Sequence, residues 1–189
     1  TVDGTPVSIV TGAHVARALD LRRGLLGALW QWRAPNGATL TIQTVRGVSL
    51  ASRALAWHIA RIDVDQPVEL TLETWLEPLD DLLIPERTGT FLQTWRTNEL
   101  PHTLAVASTA VADMPDRVLV PAALGKGSYH RWTWQAQPNH SALYERLVTL
   151  VRDDHAVQLG QGTLAALCRA REDDPDNLFA AHILAWENR

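Results

Sequence analysis

Alternation of apolar and polar residues dominates the first three quarters of the chain and predicts strands. Residues 7–10 form a short apolar run before Thr11-Gly12, and residues 18–21 form another, closed by Arg22-Arg23-Gly24. Residues 25–33 carry Trp30 and Trp32 two positions apart, which puts both indoles on one face of a strand. Pro35-Asn36-Gly37 follows, and Asn-Gly supplies two residues tolerant of positive φ, as a type I′ turn demands. Leu40, Ile42 and Thr44 then alternate with Thr39, Thr41 and Gln43. Residues 25–46 are therefore predicted to form a β-hairpin.

The pattern continues. Over 55–64, Leu55, Trp57 and Ile59 share one face, with Ala56, His58, Ala60 and Ile62 on the other. After Gln66-Pro67, Val68, Leu70 and Leu72 alternate with Glu69, Thr71 and Glu73, a strand with one wet face. Residues 78–89, with two prolines, predict a loop. Residues 91–97, 103–111, 118–120 and 129–136 predict four more strands, the last holding Trp132 and Trp134 on one face. Residues 142–152 fit a helix or a buried strand equally well. Beyond them the texture is helical. Residues 159–171 are rich in Ala and Leu, and Pro175 with Asp176 opens a second helix. Leu178, Phe179, His182, Ile183 and Trp186 make an apolar stripe on that helix, and the stripe is expected to stay exposed here and to need a partner outside these 189 residues. Strands in a row followed by two helices predict a mainly β, antiparallel sandwich with helices appended at its end.

Composition narrows the picture. With 46% hydrophobic and 20% charged residues among 189, the chain is no disordered segment. No apolar stretch approaches the ~18 residues of a membrane span, and the single Cys168 excludes an internal disulfide. A formal charge of -4 gives no support to nucleic-acid binding. Eight of the twelve aromatics are Trp, which suits either core filling or stacking on sugar rings. The chain opens on Thr1 and its one methionine is Met114, so a segment of a longer protein is expected.

Candidate chemistry is sparse. No phosphate loop, metal-spacing or nucleophile-elbow motif is present, and Gly125-Lys126-Gly127 reads as a turn with one cation. His58, His102 or His130 facing inward with Glu69, Glu73 or Glu99 would supply an acid–base pair; each also reads as a packed or hydrogen-bonded histidine. Asp80, Asp81 and Glu86 read as a solvated turn rather than a glycosidase pair. Asp20 is expected to form a structural ion pair with Arg22 or Arg46. Trp132 and Trp134 are the candidate carbohydrate contacts, with Trp30 and Trp32 the other same-face pair.

Residues 17–26, Arg-Ala-Leu-Asp-Leu-Arg-Arg-Gly-Leu-Leu, resemble the L-D-L-R-x-G-x-L segment of the N-terminal domain of glycoside hydrolase family 65. A Trp-bearing strand (Trp32), a Gly turn (Gly37) and Arg46-Gly47-Val48-Ser49-Leu50-Ala51-Ser52-Arg53 follow in the family's order. Val2-Asp3-Gly4 is similar to its I-D-G, residues 145–153 to its last sandwich strand, and His182 with Trp186 to its H-x-x-x-W. The resemblance implies a super-β-sandwich, similar to galactose mutarotase, over residues 1–154 and lacking its first strands. It makes 142–152 a strand and 155–189 a helical linker toward an (α/α)6 catalytic barrel. Family members act on α-glucosides such as maltose, trehalose, kojibiose and nigerose, mostly by inversion with inorganic phosphate as co-substrate, some with water. Their general acid and phosphate site lie in the barrel. The resemblance therefore implies no catalytic residue, metal or cofactor on this chain. It implies a cytoplasmic, inactive domain that packs on the barrel, shapes the sugar pocket or forms a homodimer contact, with neither nucleic acid nor membrane as a partner. Two other readings remain open: a free-standing carbohydrate-binding module using the Trp pairs on an open concave face, and a mutarotase-like epimerase using His and Glu.

Overall fold

In a computed structural model the described residues are 1–7, 14–76, 83–88, 92–98, 102–114, 118–119, 130–153, 156–173 and 175–188. Among them run eleven strands: β1 (His14–Asp20), β2 (Leu25–Arg33), β3 (Thr39–Val48), β4 (Leu55–Val64), β5 (Val68–Thr74), β6 (Leu83–Thr88), β7 (Leu92–Thr97), β8 (Thr103–Asp113), β9 (Val118–Leu119), β10 (His130–Ala136) and β11 (Ala142–Asp153). Two helices follow, α1 (Ala156–Glu172) and α2 (Pro175–Glu187). Every strand pairing among them is antiparallel. The predicted run over 7–10, apart from Val7, lies outside the described residues.

The large sheet has the order β1-β2-β3-β4-β11-β8-β7-β6, and the small one β5-β10-β9. Residues 142–152 are strand, paired with β4 on one side and β8 on the other. The chain crosses from the large sheet to the small one after β4, where Gln66-Pro67 interrupts the pattern. The first residues line the free side of β5: Thr71 N donates to Thr1 O, and Asp3 Oδ1 accepts from Glu69 N at 2.7 Å.

Two sequence expectations are corrected locally. The β2–β3 hairpin forms, but its turn is not type I′. Gly37 alone takes positive φ (91°), Gly37 N donates to Ala34 O, and Ala34 N to Ala38 O. That is a type I turn followed by a left-handed glycine; Pro35 pins φ negative at the turn's first central position, which excludes the primed form. Within the predicted loop 78–89, β6 is a strand. It ends the sheet, and its register slips between Pro85 and Arg87. An edge with a bulge is where proline's missing N–H does least harm.

Period two sorts the large sheet's faces. Trp32, Leu40, Ala60, Ile62 and Tyr144 face the small sheet and pack with Leu70, Trp132 and Trp134. The opposite residues, Leu55, Trp57 and Leu147, are covered by Leu167 and Ala170 of α1. Thr149 Oγ1 donates to Thr163 O, and Arg171 ion-pairs with Glu145, so α1 is keyed to β11. The stripe of α2 finds its partner within the chain, contrary to expectation. His182 is fully buried with its ring 4.7 Å from that of Trp57, Ile183 is half-buried, and the Trp186 indole lies over Gly24. Phe179 and Leu184, 36% and 60% exposed, are the apolar side chains α2 leaves outward.

Candidate functional site

Between the two sheets lies a cleft of about 700 Å³. Its walls are mostly apolar, among them Trp30, Trp32, Ile42 and Trp134, while its polar groups gather toward one end of the large sheet. There Arg46 of β3 stands opposite His58 of β4, and His58 stands opposite Arg146 of β11. Thr44 and Tyr144 occupy the next row, flanking Ala60. From β5, Thr74 reaches Tyr144 and Arg146 directly, and Glu73 and Trp75 line the cleft beside it.

Arg146 is held by neutral oxygens. Its Nε donates to Ser108 Oγ at 2.8 Å, and Nη1 donates to Thr74 Oγ1 at 2.7 Å and to Trp75 O at 3.2 Å. Tyr144 also donates to Thr74 Oγ1, at 3.1 Å, and burial raises its phenol above the usual value. His58 is pushed down to about 4, first by burial and then by Arg46 and Arg146, so the ring is neutral at pH 7. Burial and Arg146 lower His130 as well; its ring stacks on Trp132 at 5.6 Å.

The candidate residues are distributed differently from expectation. Trp132 and Trp134 are 2% and 4% exposed, so they fill the core and form no open stacking surface; Trp134 contributes only to the cleft's inner wall. Trp32 is likewise buried, while Trp30 is half-buried with the Arg17 guanidinium 5.2 Å above its ring. Asp20 pairs with Arg23 at 3.2 Å rather than with Arg22 or Arg46. Its Oδ1 accepts the backbone N–H groups of both Arg22 and Arg23, and those bonds, with the guanidinium, hold its carboxyl below the usual range. The turn after β1 curls back on Asp20, bringing Arg23 within reach, whereas the register sets Arg46 opposite Leu26 and His58.

No hydrogen bond joins His58 to a carboxylate among the described residues. His102 Nε2 lies 3.1 Å from Arg152. Glu69 is 3.5 Å from Gln135, Glu73 pairs with Arg131 and Glu86 with Arg96. Glu99, Asp80, Asp81 and residues 125–127 lie outside the described residues. Among the described residues the inward face thus offers arginines, a neutral histidine and hydroxyls. The basic row itself was missed in the sequence, because strand order alone unites it.

Among described residues no group of three metal-ligating side chains exists, and no helix is long and apolar enough to cross a membrane. No curated protein matches the chain. A solved structure titled "Putative kojibiose phosphorylase from human microbiome" is similar in fold, with a TM-score of 0.69 at 17% sequence identity. The match covers 94% of this chain and 25% of that one, so the chain spans a quarter of the larger polypeptide. The family profile for the glycosyl hydrolase family 65 N-terminal domain matches residues 1–189. The order of motifs, the antiparallel sandwich with two C-terminal helices and this match agree, and the chain belongs to the family of glycoside hydrolase family 65 N-terminal domains.

Proposed function

We propose that the chain is the non-catalytic N-terminal domain of an inverting α-glucoside phosphorylase or hydrolase. Its partner is an (α/α)6 catalytic barrel, against which it packs and whose sugar pocket or dimer contact it supports. The observation that carries this is the cleft's chemistry: His58 is neutral, flanked by arginines and, among the described residues, hydrogen-bonded to no carboxylate. Family membership across the whole chain supports the same reading. So does the fully buried His182, whose hydrogen bond to Arg23 O ties α2 to the sandwich. Inorganic phosphate would be the barrel's co-substrate, with none of it consumed here. The test is turnover of maltose, trehalose and kojibiose in phosphate buffer. The 189-residue chain alone should release no glucose, and the parent polypeptide containing the barrel should. Clear turnover by the chain alone overturns the proposal.

A further inference from the structure

Strand register lines three basic side chains abreast on the cleft floor: Arg46, His58 and Arg146, on the adjacent strands β3, β4 and β11. The row ends at Leu26 of β2 and Ala110 of β8, so no acid shares it. The two arginines flank His58, and protonating the ring between them would set like charges directly across both strand pairs. His58 registers the repulsion, since both guanidiniums add to burial in keeping its ring unprotonated.

Three polar atoms there are buried with no hydrogen-bond partner among the described residues: Nη2 of Arg146, Nε2 of His58 and, one row away, Oγ1 of Thr44. Arg146 spends its other donors on hydroxyls and a carbonyl, none of them charged. A half-buried guanidinium that meets no opposing charge among the described residues is expensive, and polar atoms left unmatched beside it add to the expense. Glu73 on β5 is the one carboxylate among the described residues that line the cleft, and it pairs with Arg131 at 3.6 Å. Tyr144, the remaining titratable side chain facing the row, is occupied with Thr74.

We infer that the Arg46–His58–Arg146 row, with Thr44, is a binding site for an oxyanion group, a carboxylate or a phosphate, on a small ligand whose body lies against Trp30 and Trp134. Guanidinium N–H groups match the planar or tetrahedral oxygens of such groups, and a neutral imidazole and a hydroxyl add uncharged donors. A neutral sugar would leave the arginine charges unanswered.

Thermal unfolding of the 189-residue chain and NMR titration of the His58 ring test this, with inorganic phosphate, glucuronate or glucose at matched ionic strength. Phosphate, glucuronate or both should raise the melting temperature and move the His58 midpoint upward, because a bound anion offsets the guanidiniums. Glucose should do neither. Arg46→Gln, at an exposed position that leaves the fold intact, should weaken the effective anion roughly tenfold. A response to phosphate alone identifies a phosphate ligand, and one to glucuronate alone a carboxylate; each supports the site. No movement with either anion, or unchanged affinity in Arg46→Gln, overturns it.

Discussion

His182 Nε2 donates a hydrogen bond to the backbone carbonyl of Arg23 at 2.6 Å, joining positions 159 residues apart. Its other nitrogen, Nδ1, accepts from Leu50 N at 3.3 Å, and with a carbonyl on one side and an N–H on the other only the Nε2–H tautomer satisfies both. One buried ring thereby ties α2 to the turn before β2 and to the loop after β3. His182→Ala should destabilise the chain by about 3 kcal/mol, since it opens a cavity beside Trp57 and strands two backbone groups. His182→Phe, which keeps the bulk, should cost nearly as much. Urea unfolding of both variants checks this; a Phe variant as stable as the parent would show that packing alone matters.

Gly24 takes φ of 61°, and a Cβ placed there would overlap the Trp186 indole. Gly24→Ala should therefore cost about 2–4 kcal/mol, combining backbone strain with overpacking. Removing the indole should relieve part of it. A double-mutant cycle of Gly24→Ala with Trp186→Ala is expected to show non-additivity above about 0.5 kcal/mol, measured by denaturant midpoints.

Acid should unfold the chain partly through His58. Its folded-state value, about 4, lies below the ordinary 6.5, so the unfolded chain binds the proton more readily. Its contribution to stability should shrink as pH drops from about 6.5 toward 4 and change no further below that. His130, lowered for the same reasons, acts with the same sign. Replacing His58 with Gln should flatten the slope of unfolding free energy against pH in this window, and an unaltered slope would count against the assignment.

Trp132→Ala should cost about 3–5 kcal/mol, as expected for a large aromatic removed from a sealed core. Leu21→Ser, at a position 75% exposed, should change stability by under about 0.5 kcal/mol. Paired thermal scans separate the two, and a mild effect at Trp132 would mean that its burial is not what holds the sheets together.

Much of the fold was legible in local pattern. Leu55, Trp57 and Ile59 do part from His58, Ala60 and Ile62 across β4, because strand period two is written directly in side-chain polarity. The hairpin at Gly37 was legible in place but not in turn type, since Pro35 outweighed the preference of Asn-Gly. β6 was hidden because Pro85 reads as a breaker until the strand is known to be an edge. The cleft's basic row was not legible at all. Arg46 and His58 are twelve residues apart and Arg146 lies far beyond, and only the insertion of β11 beside β4 sets them abreast. For the same reason Trp132 and Trp134 fitted a sugar platform in the sequence, where nothing shows that the large sheet closes over them.

That insertion also dictates an order of assembly. Among the described strands, β1–β4 and β6–β8 are joined by hydrogen bonds only through β11, which follows all of them in sequence. Until residue 153 has emerged, β4 and β8 are raw edges, each able to pair with the wrong neighbour. The sheet is thus a nascent-chain hazard that closes only when β11 docks, and a chain stopped before β11 would leave two half-sheets with open edges.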